Sequence, residues 1–209
     1  MSTKRKVFVS FRFSDGNKIK DKLVDFLEEQ DLIIDKSEDK DRREMTDETI
    51  QSYLFEKLKD SSITIVLLTP KAVNYKRDSR NRIDDWMYDE LRYSLYNRTD
   101  NPINGVIALY TPQTEDAIIR KSTHTCDKCN TTTNVKTVLE FDNLIRDNMM
   151  NVIKKYKKNS CDGIFDSDYD SYISLVKLEE FYNKPSQYID IATEKRKKSE
   201  QYTIKVRKE

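Results

Sequence analysis

The first half of the chain carries its hydrophobic residues in short, nearly continuous runs. The clearest lie at residues 7–11 (VFVSF) and 63–68 (ITIVLL), and two shorter runs lie at residues 32–34 and 106–110. Unbroken apolar runs of this length are typical of strands that are covered on both faces, as in parallel sheets. The pattern therefore predicts four buried strands before residue 111.

Apolar residues between these runs recur at helical spacing. Three sets each share one face of a predicted helix: Ile19, Leu23, Phe26 and Leu27; Ile50, Leu54 and Leu58; and Met87, Leu91 and Leu95. The second helix has Thr46 and Asp47 as candidate N-caps, and the third is expected over about residues 85–96. Alternation of strands and helices at this spacing predicts right-handed βαβ units, and hence an α/β fold with a parallel sheet flanked by helices.

The second half of the chain has a less regular pattern. Residues 111–139 are polar and rich in Thr and Asn without a clear period, which predicts an insertion or a long loop. Four elements are predicted after it: a helical stretch over residues 138–158, a strand at residues 172–176, a helix that opens at Pro185 and runs to about residue 198, and an edge strand at residues 202–206. We therefore expect a less regular C-terminal extension of the core.

Composition narrows the classes of function. The chain has only three glycines, Gly16, Gly105 and Gly163, so no glycine-rich loop of the kind that cradles phosphates can be drawn. A dinucleotide-binding dehydrogenase and a P-loop NTPase are both disfavoured for this reason. The 38 Lys and Arg residues nearly balance the 37 Asp and Glu residues, which argues against nucleic acid or an anionic membrane as a partner.

The apolar runs also bear on the compartment. None of them is long enough for the core of a signal peptide or for a membrane helix. We therefore expect a cytoplasmic protein, in which the three cysteines are reduced or bound to metal.

Two segments that are far apart in sequence carry candidate chemistry. Residues 6–15 (KVFVSFRFSD) contain the end of the first strand, and residues 84–91 (DDWMYDEL) open the third helix, where Trp86 and Glu90 are i, i+4 neighbours. In an open doubly wound sheet, ligands bind beyond the carboxyl ends of the strands, at the point where the strand order reverses. Strands one and three flank this crevice in the flavodoxin-like order, so the two segments are expected to meet there.

The two segments together resemble a known family. VFVSFRFSD is similar to the first-strand box of TIR domains, and WMYDEL is similar to their W-x-x-x-E-L box. The TIR-like ThsB proteins of bacterial Thoeris anti-phage systems are the relatives that the sequence resembles. The similarity covers about residues 5–110, and it departs from the family between Asp35 and Thr46, where the chain is highly charged.

The resemblance implies a flavodoxin-like fold that uses NAD as its substrate, with Glu90 matching the family's catalytic glutamate. Positions that line or support the nucleotide pocket in the family match Phe8, Ser10, Phe11, Arg12, Asp15 and Trp86. It further implies an NAD glycohydrolase or cyclase whose product, a cyclic ADP-ribose-type nucleotide, signals to an effector protein in anti-phage defence. On this interpretation residues 1–110 form the TIR-like core, residues 111–139 a polar insertion with the C-x-x-C motif, and residues 140–209 complete the same domain.

A single carboxylate suits this chemistry. The nicotinamide of NAD is already cationic, so it leaves without being protonated, and the transition state resembles an oxocarbenium ion. A carboxylate near the ribose hydroxyls, here Glu90, stabilises the developing positive charge. Phe8 or Trp86 can stack on planar rings, and Arg12 can pair with phosphate.

Each of these residues also has an ordinary structural interpretation. Glu90 on an exposed helix face would be a solvated charge, Trp86 a core residue, and Ser10 a capping group at a strand end. Asp84 and Asp85 are expected to cap the third helix. The alternative function is a non-catalytic TIR-like module that binds a partner protein or a nucleotide, and the sequence leaves the oligomeric state, including a homo-oligomer, open.

The only histidine and all three cysteines lie within residues 124–161. Cys126 and Cys129 form a C-x-x-C pair at a spacing common in tetrahedral zinc sites, and His124 and Cys161 could complete a Cys3His set. The spacing to the two outer residues is not that of a standard zinc finger, and reduced thiols without a metal are the ordinary alternative. A zinc ion here would be structural and would clip a loop that lacks a core of its own.

Overall fold

The computed structural model describes residues 4–37, 47–97, 102–159, 161 and 164–206. Its strands, in chain order, are β1 (Arg5–Ser10), β2 (Ile33–Asp35), β3 (Ile63–Leu68), β4 (Gly105–Tyr110), β5 (Ile119–Thr125), β6 (Thr132–Val138) and β7 (Ser174–Lys177). Its helices are α1 (Phe13–Glu29), α2 (Asp47–Lys59), α3 (Trp86–Leu95), α4 (Pro112–Ile118), α5 (Leu144–Asp147), α6 (Leu178–Asn183) and α7 (Pro185–Lys197). Single 3-10 turns lie at Lys154–Tyr156 and Ser199–Gln201.

Five of the strands form one sheet in the order β2-β1-β3-β4-β7, and every neighbouring pair in it is parallel. In this flavodoxin-like order the chain passes from β1 outward to β2 and then returns to β3 on the other side of β1. The predicted α/β fold, with a parallel sheet flanked by helices, is confirmed. The four strands predicted in the first half and the late strand all occur, and Pro185 opens α7 as expected.

Alternate residues of the strands face two separate hydrophobic layers. On one side, Val9 of β1 packs in a cluster with Leu27 of α1, and α7 covers the same side. On the other side, Phe8 packs with Leu58 of α2, and α3 covers this side as well. Because successive side chains of a strand point to opposite faces, Ser10 lies on the same face as Phe8, toward α2 and α3.

Gly105, the first residue of β4, marks a close approach between the sheet and α7. A Cβ atom added there would lie 2.3 Å from the carbonyl oxygen of Ala192 and 2.8 Å from its carbonyl carbon. Backbone atoms cannot rotate away as the end of a side chain can. Only glycine therefore fits at this position while α7 packs on β4.

The segment predicted as an insertion or a long loop, residues 111–139, has regular secondary structure, so the long-loop alternative is wrong. It contains α4 and the antiparallel hairpin β5–β6. Most side chains of the hairpin are exposed, so the strands lack the apolar alternation by which a half-buried strand is recognised. Thr and Val residues supply the preference for extended backbone.

Two further predictions for the C-terminal half are wrong, because asparagine side chains bond to the backbone there. The helical stretch expected over residues 138–158, interrupted or extended, is reduced to α5 and one 3-10 turn, and Asn143 caps α5. The side-chain amide of Asn148 donates to the carbonyl of Lys205 and accepts from its N–H, both at 2.8 Å. Residues 202–206 therefore form only a single antiparallel bridge, between Tyr202 and Val152, and continue into bonds to the side chain of Asn148 instead of a strand.

Some expectations fall on residues outside the described ranges. α2 begins at Asp47, while Thr46 and the charged stretch at residues 38–46 lie outside the described residues, as do the side chains of Ile50 and Leu54. Of the helices that the structure describes, none has both the length and the apolar composition needed to cross a bilayer.

Candidate functional site

The carboxyl ends of β1 and β3 lie side by side at the point where the strand order reverses. Phe8 pairs in register with Thr64, and Ser10, the last residue of β1, pairs with Val66. Thr69 follows β3 directly. Ligands bind at this point in sheets of this order, and we refer to it as the β1/β3 edge.

A chain of buried hydrogen bonds fixes α3 against the sheet. Asn104 Nδ2 donates to Thr64 Oγ1 at 3.1 Å, and the Thr64 hydroxyl lies 2.7 Å from that of Ser94. Ser94 Oγ in turn donates to the backbone carbonyl of Glu90 at 2.8 Å. Since a serine hydroxyl has a single proton, Thr64 is the donor in its bond to Ser94. This chain of bonds therefore runs in one direction, from Asn104 to the backbone of Glu90.

The same chain of bonds determines the height of Glu90 along the sheet. Glu90 lies one helical turn before Ser94, and a helix that follows a strand of a parallel sheet runs back against the strand direction. One turn rises about 5.4 Å, and two residues of a strand rise about 6.6 Å. The two rises are similar, so we infer that Glu90 lies about as far beyond Thr64 as Ser10 lies beyond Phe8, on the same face and at the same end of the sheet.

Glu90 is not a solvated charge on an exposed helix face. The residue is 8% exposed, and α3 buries it against the sheet together with Met87, Leu91 and Ser94. Taking a carboxylate out of water carries a free-energy cost. Its burial at the β1/β3 edge therefore makes it the strongest candidate for a functional group.

An ion pair joins the loop after β1 to the start of α3. Arg12 Nη2 lies 2.5 Å from Asp85 Oδ2, and both side chains are almost completely buried. Asp85 also caps α3, since its Oδ1 accepts from the N–H of Met87 at 3.0 Å, and its Oδ2 accepts from the N–H of Lys76 at 2.6 Å. The expected capping role of Asp85 is confirmed, and the pair holds the two candidate segments against each other.

Several polar atoms at the β1/β3 edge are buried without a hydrogen-bond partner among the described residues. They are Ser10 Oγ, Thr69 Oγ1, Arg12 Nε and Asp15 Oδ1. The other carboxylate oxygen of Asp15 accepts from the N–H of Lys71 at 3.0 Å and so ties α1 to the turn after β3. Each buried polar atom left without a partner costs about 1–3 kcal/mol. Their concentration at one edge indicates a place where a ligand or water supplies the missing bonds.

Two exposed aromatic side chains flank the ion pair in sequence. Phe13 follows Arg12 and is 44% exposed, and Trp86 follows Asp85 and is 36% exposed. Aromatic side chains in such positions offer flat apolar surfaces on which a planar ring can stack. The β1/β3 edge therefore combines a buried carboxylate, hydroxyl groups and exposed aromatic rings.

Phe8 and Phe11 have packing roles instead. Phe8 is buried in the cluster that contains Leu58, and Phe11 packs against the cluster on the opposite face of the sheet. Phe11 also stacks on Phe13, with ring centroids 5.8 Å apart. The predicted site residues that the structure brings to the β1/β3 edge are Ser10, Arg12, Asp15, Trp86 and Glu90.

Thr69 follows β3 at this edge and Phe13 follows the loop after β1, but both carry weak sequence signals. Thr69 is recognisable only as the residue that follows a buried strand. Phe13 is an apolar residue at the start of a helix, and its exposure cannot be inferred from the pattern.

The three cysteines form a separate cluster at the end of the β5–β6 hairpin. Their sulfur atoms all lie within 4.8 Å of one another. His124 lies on the exposed part of β5 and is not a member of this group of potential ligands. The structure therefore brings together three of the four predicted metal ligands.

A broad surface depression of about 490 Å³ lies beside Cys161, whose N–H donates to the side chain of Asn159. It is lined by Lys158, Asn159, Ile164, Phe165 and Asp166. None of these residues belongs to the β1/β3 edge.

The chain matches no protein-family model.

Proposed function

We propose that the chain is a TIR-like enzyme that consumes NAD, with Glu90 as its catalytic carboxylate. The observation that carries this proposal is the burial of Glu90, which is 8% exposed, on a helix that the Thr64–Ser94 bonds hold against the Ser10 face of the sheet. A flavodoxin-like sheet binds its ligands at the β1/β3 edge. A buried acid at a ligand-binding edge favours a role in chemistry over that of a surface charge.

In this proposal Glu90 stabilises the ribose as its bond to nicotinamide breaks. The electron pair of the N-glycosidic bond goes to the pyridinium nitrogen, so nicotinamide leaves as a neutral molecule. The positive charge passes to the ribose ring, which becomes oxocarbenium-like. The carboxylate offsets this charge in a site from which most water is excluded. Water or another atom of the same nucleotide then attacks, which gives ADP-ribose or a cyclic isomer.

The other groups at the β1/β3 edge are suited to binding the rest of the nucleotide. Ser10 Oγ and Thr69 Oγ1 are buried without partners among the described residues and can hydrogen-bond to ribose hydroxyls. Arg12 Nε can donate to a phosphate oxygen. The exposed rings of Trp86 and Phe13 can stack on adenine or nicotinamide.

The resemblance to TIR-like Thoeris proteins supports a role in nucleotide signalling. The product in this proposal is a cyclic ADP-ribose-type nucleotide, and the partner is an effector protein that binds it. The compartment is the cytoplasm, where NAD and the effector are both present. Anti-phage defence is the process that the resemblance favours.

The proposal is tested by product analysis with a matched pair of variants. Wild type, Glu90→Gln and Asp89→Asn are incubated with NAD, with and without extract from phage-infected cells, and the products are identified by mass spectrometry. Glu90→Gln keeps the size of the side chain and removes its charge, so the rate should fall by roughly a hundred- to several-thousand-fold, or about 3–5 kcal/mol. Asp89→Asn, about 100° round the helix, should retain activity. The enzymatic proposal would be refuted if the wild type is active and the Glu90→Gln variant consumes NAD at the same rate.

A non-catalytic TIR-like module is the second candidate. The observation in its favour is the Arg12–Asp85 ion pair, in which the guanidinium already binds a carboxylate of the protein itself. The aromatic rings of Phe13 and Trp86, next to this pair in sequence, are exposed. A surface of this kind also suits a partner protein. This module would be supported if calorimetry shows that NAD binds to both the wild type and Glu90→Gln, and neither protein consumes it.

A further inference from the structure

The cysteine sulfur atoms are spaced as ligands of one metal ion. Sγ of Cys129 lies 3.7 Å from Sγ of Cys161, and the sulfur of Cys126 lies within 4.8 Å of both. The two sulfurs of a disulfide are about 2.05 Å apart. A tetrahedral zinc ion with Zn–S bonds of about 2.3 Å holds its sulfur ligands about 3.8 Å apart. The observed separation of Cys129 and Cys161 agrees with the zinc geometry.

The local backbone brings both thiols of the C-x-x-C pair to one place. The N–H of Cys126 donates to the carbonyl of Thr131 at 3.0 Å, and the N–H of Asn130 donates to the carbonyl of Cys126 at 2.8 Å. These two bonds close a tight turn between β5 and β6. Asn130 has a left-handed backbone with φ of 54°, which Asn tolerates better than most residues. Cys126 is 4% exposed on a hairpin whose other residues are mostly exposed.

The third thiol reaches the hairpin from a distant part of the chain. The N–H of Cys161 donates to Oδ1 of Asn159 at 2.9 Å, and its carbonyl accepts from Nζ of Lys157 at 2.5 Å. These bonds orient the backbone of Cys161 without help from a metal. Cys161 thus meets the C-x-x-C pair although it lies more than thirty residues further along the chain.

We propose that Cys126, Cys129 and Cys161 bind one Zn²⁺ ion as thiolates and so clip the end of the β5–β6 hairpin to the chain at residue 161. Three sulfur donors favour zinc over Mg²⁺ or Ca²⁺, which take oxygen ligands. The fourth position belongs to a water molecule or a further side chain. Each thiol that binds as a thiolate releases its proton, and the zinc ion keeps its oxidation state.

Such a link would steady the hairpin, because the described residues of its strands are mostly exposed. Every residue of β5 after Ile119 is exposed, and an isolated two-stranded hairpin is marginally stable in water. The ion pair between Lys136 and Glu180, at 3.4 Å, is exposed on both sides. Exposed pairs of this kind contribute about 0–1 kcal/mol. A zinc ion would hold the hairpin end where hydrophobic contacts do not.

Metal analysis of the full chain, purified under reducing conditions without added metal, tests the proposal. We expect about one zinc per chain, and X-ray absorption should show three sulfur neighbours at about 2.3 Å. Cys129→Ser is the main variant, because Cys129 is exposed and its replacement should leave the core intact. It should lose the zinc and keep the circular dichroism spectrum of the wild type. Ser122→Ala, an exposed replacement on the same hairpin, should keep the zinc.

A second variant tests the ligand set. His124→Ser should retain zinc, because His124 lies outside the group formed by the sulfurs. Loss of zinc from this variant would overturn the three-thiolate set in favour of Cys3His. The site itself is overturned by wild-type protein that contains no zinc, whether its thiols are free or joined in a disulfide detected by mass spectrometry.

Discussion

The guanidinium of Arg12 and the carboxylate of Asp85 form an ion pair at 2.5 Å in which Asp85 is completely buried and Arg12 nearly so. Asp85 is also the N-cap of α3. One carboxylate therefore fixes both the start of the helix that carries Glu90 and the loop that follows β1. The ion pair holds the first turn of α3, and the Asn104–Thr64–Ser94 chain of bonds holds its last turn.

Arg12→Met is expected to destabilise the fold by about 3–5 kcal/mol, because it leaves the buried charge of Asp85 without its counter-ion. The double variant Arg12→Met/Asp85→Asn should recover part of this loss, since Asn caps a helix without a charge. Chemical denaturation of the wild type, both single variants and the double variant measures the coupling energy. Single-variant effects that simply add would show that the two side chains do not interact.

Thr64→Val should displace Glu90, although residue 64 itself is not expected to contact the substrate. The valine cannot donate to Ser94 or accept from Asn104, so the backbone of Glu90 loses the chain of bonds that anchors it. If Glu90 acts on NAD, we expect kcat to fall about tenfold, or about 1.4 kcal/mol, with KM nearly unchanged. Thr64→Ser retains the hydroxyl and should restore kcat. Equal kcat values for Thr64→Val and wild type would show that this anchoring is irrelevant to activity.

Lys195 is a buried lysine on α7. Its Nζ lies 2.7 Å from Oγ of Ser174, and the residue is 3% exposed. Burial lowers the pKa of Lys195 to about 7, although nearby carboxylates, Asp168 foremost, act in the opposite direction. The folded protein therefore releases this proton at a lower pH than the unfolded chain, whose lysine pKa is about 10.4.

Stability should consequently rise with pH between about 7 and 9. In this range the unfolded state binds more protons than the folded state, so each pH unit adds up to about 1.4 kcal/mol to the free energy of unfolding from this group. Below pH 7 both states are protonated at Lys195, and this contribution is at its minimum. Lys195→Met should flatten the curve in urea denaturation at several pH values. Parallel curves for the variant and the wild type would contradict the assignment.

Gly105→Ala should destabilise the fold by about 2–3 kcal/mol or more, because the new methyl group would meet the backbone of Ala192. Gly16→Ala is the matched control. The atoms nearest to its Cβ would belong to the side chain of Phe11, at 3.2 Å and beyond, and alanine raises helix propensity by about 1 kcal/mol in α1. Thermal denaturation should show a large loss of Tm for Gly105→Ala and a small change for Gly16→Ala. Similar losses in both would refute the close contact at Gly105.

The strands of the first half were predictable because strands buried on both faces are nearly continuous apolar sequence. The rule that ligands bind at the reversal of strand order then predicted that Ser10 and Glu90 lie at the same end of the sheet. The same pattern could not show that Phe8 and Phe11 pack on opposite faces of the sheet. Both are aromatic residues near the end of β1, and their roles depend on which helices cover each face of the sheet.

The second half was less predictable because its structure depends on polar side chains. Asn148 bonds to the backbone of Lys205, far along the chain, and no local pattern signals such a bond. The residues of the β5–β6 hairpin are mostly exposed, so its strands have neither a core nor the apolar alternation that would predict them. The cysteine cluster was predictable because all three cysteines lie in one part of the sequence. Only the fold shows that His124 lies outside this cluster.

The pairing of β4 with β7 has a consequence for how the chain is made. A ribosome releases β4 well before residues 174–177 exist, so the nascent chain carries an apolar parallel strand with one unpaired edge while the hairpin and the irregular segment are still being added. Such an edge is a template for association with other chains. Translation speed and chaperone occupancy over residues 111–173 should therefore govern the yield of folded protein more strongly than the same factors acting over the first hundred residues.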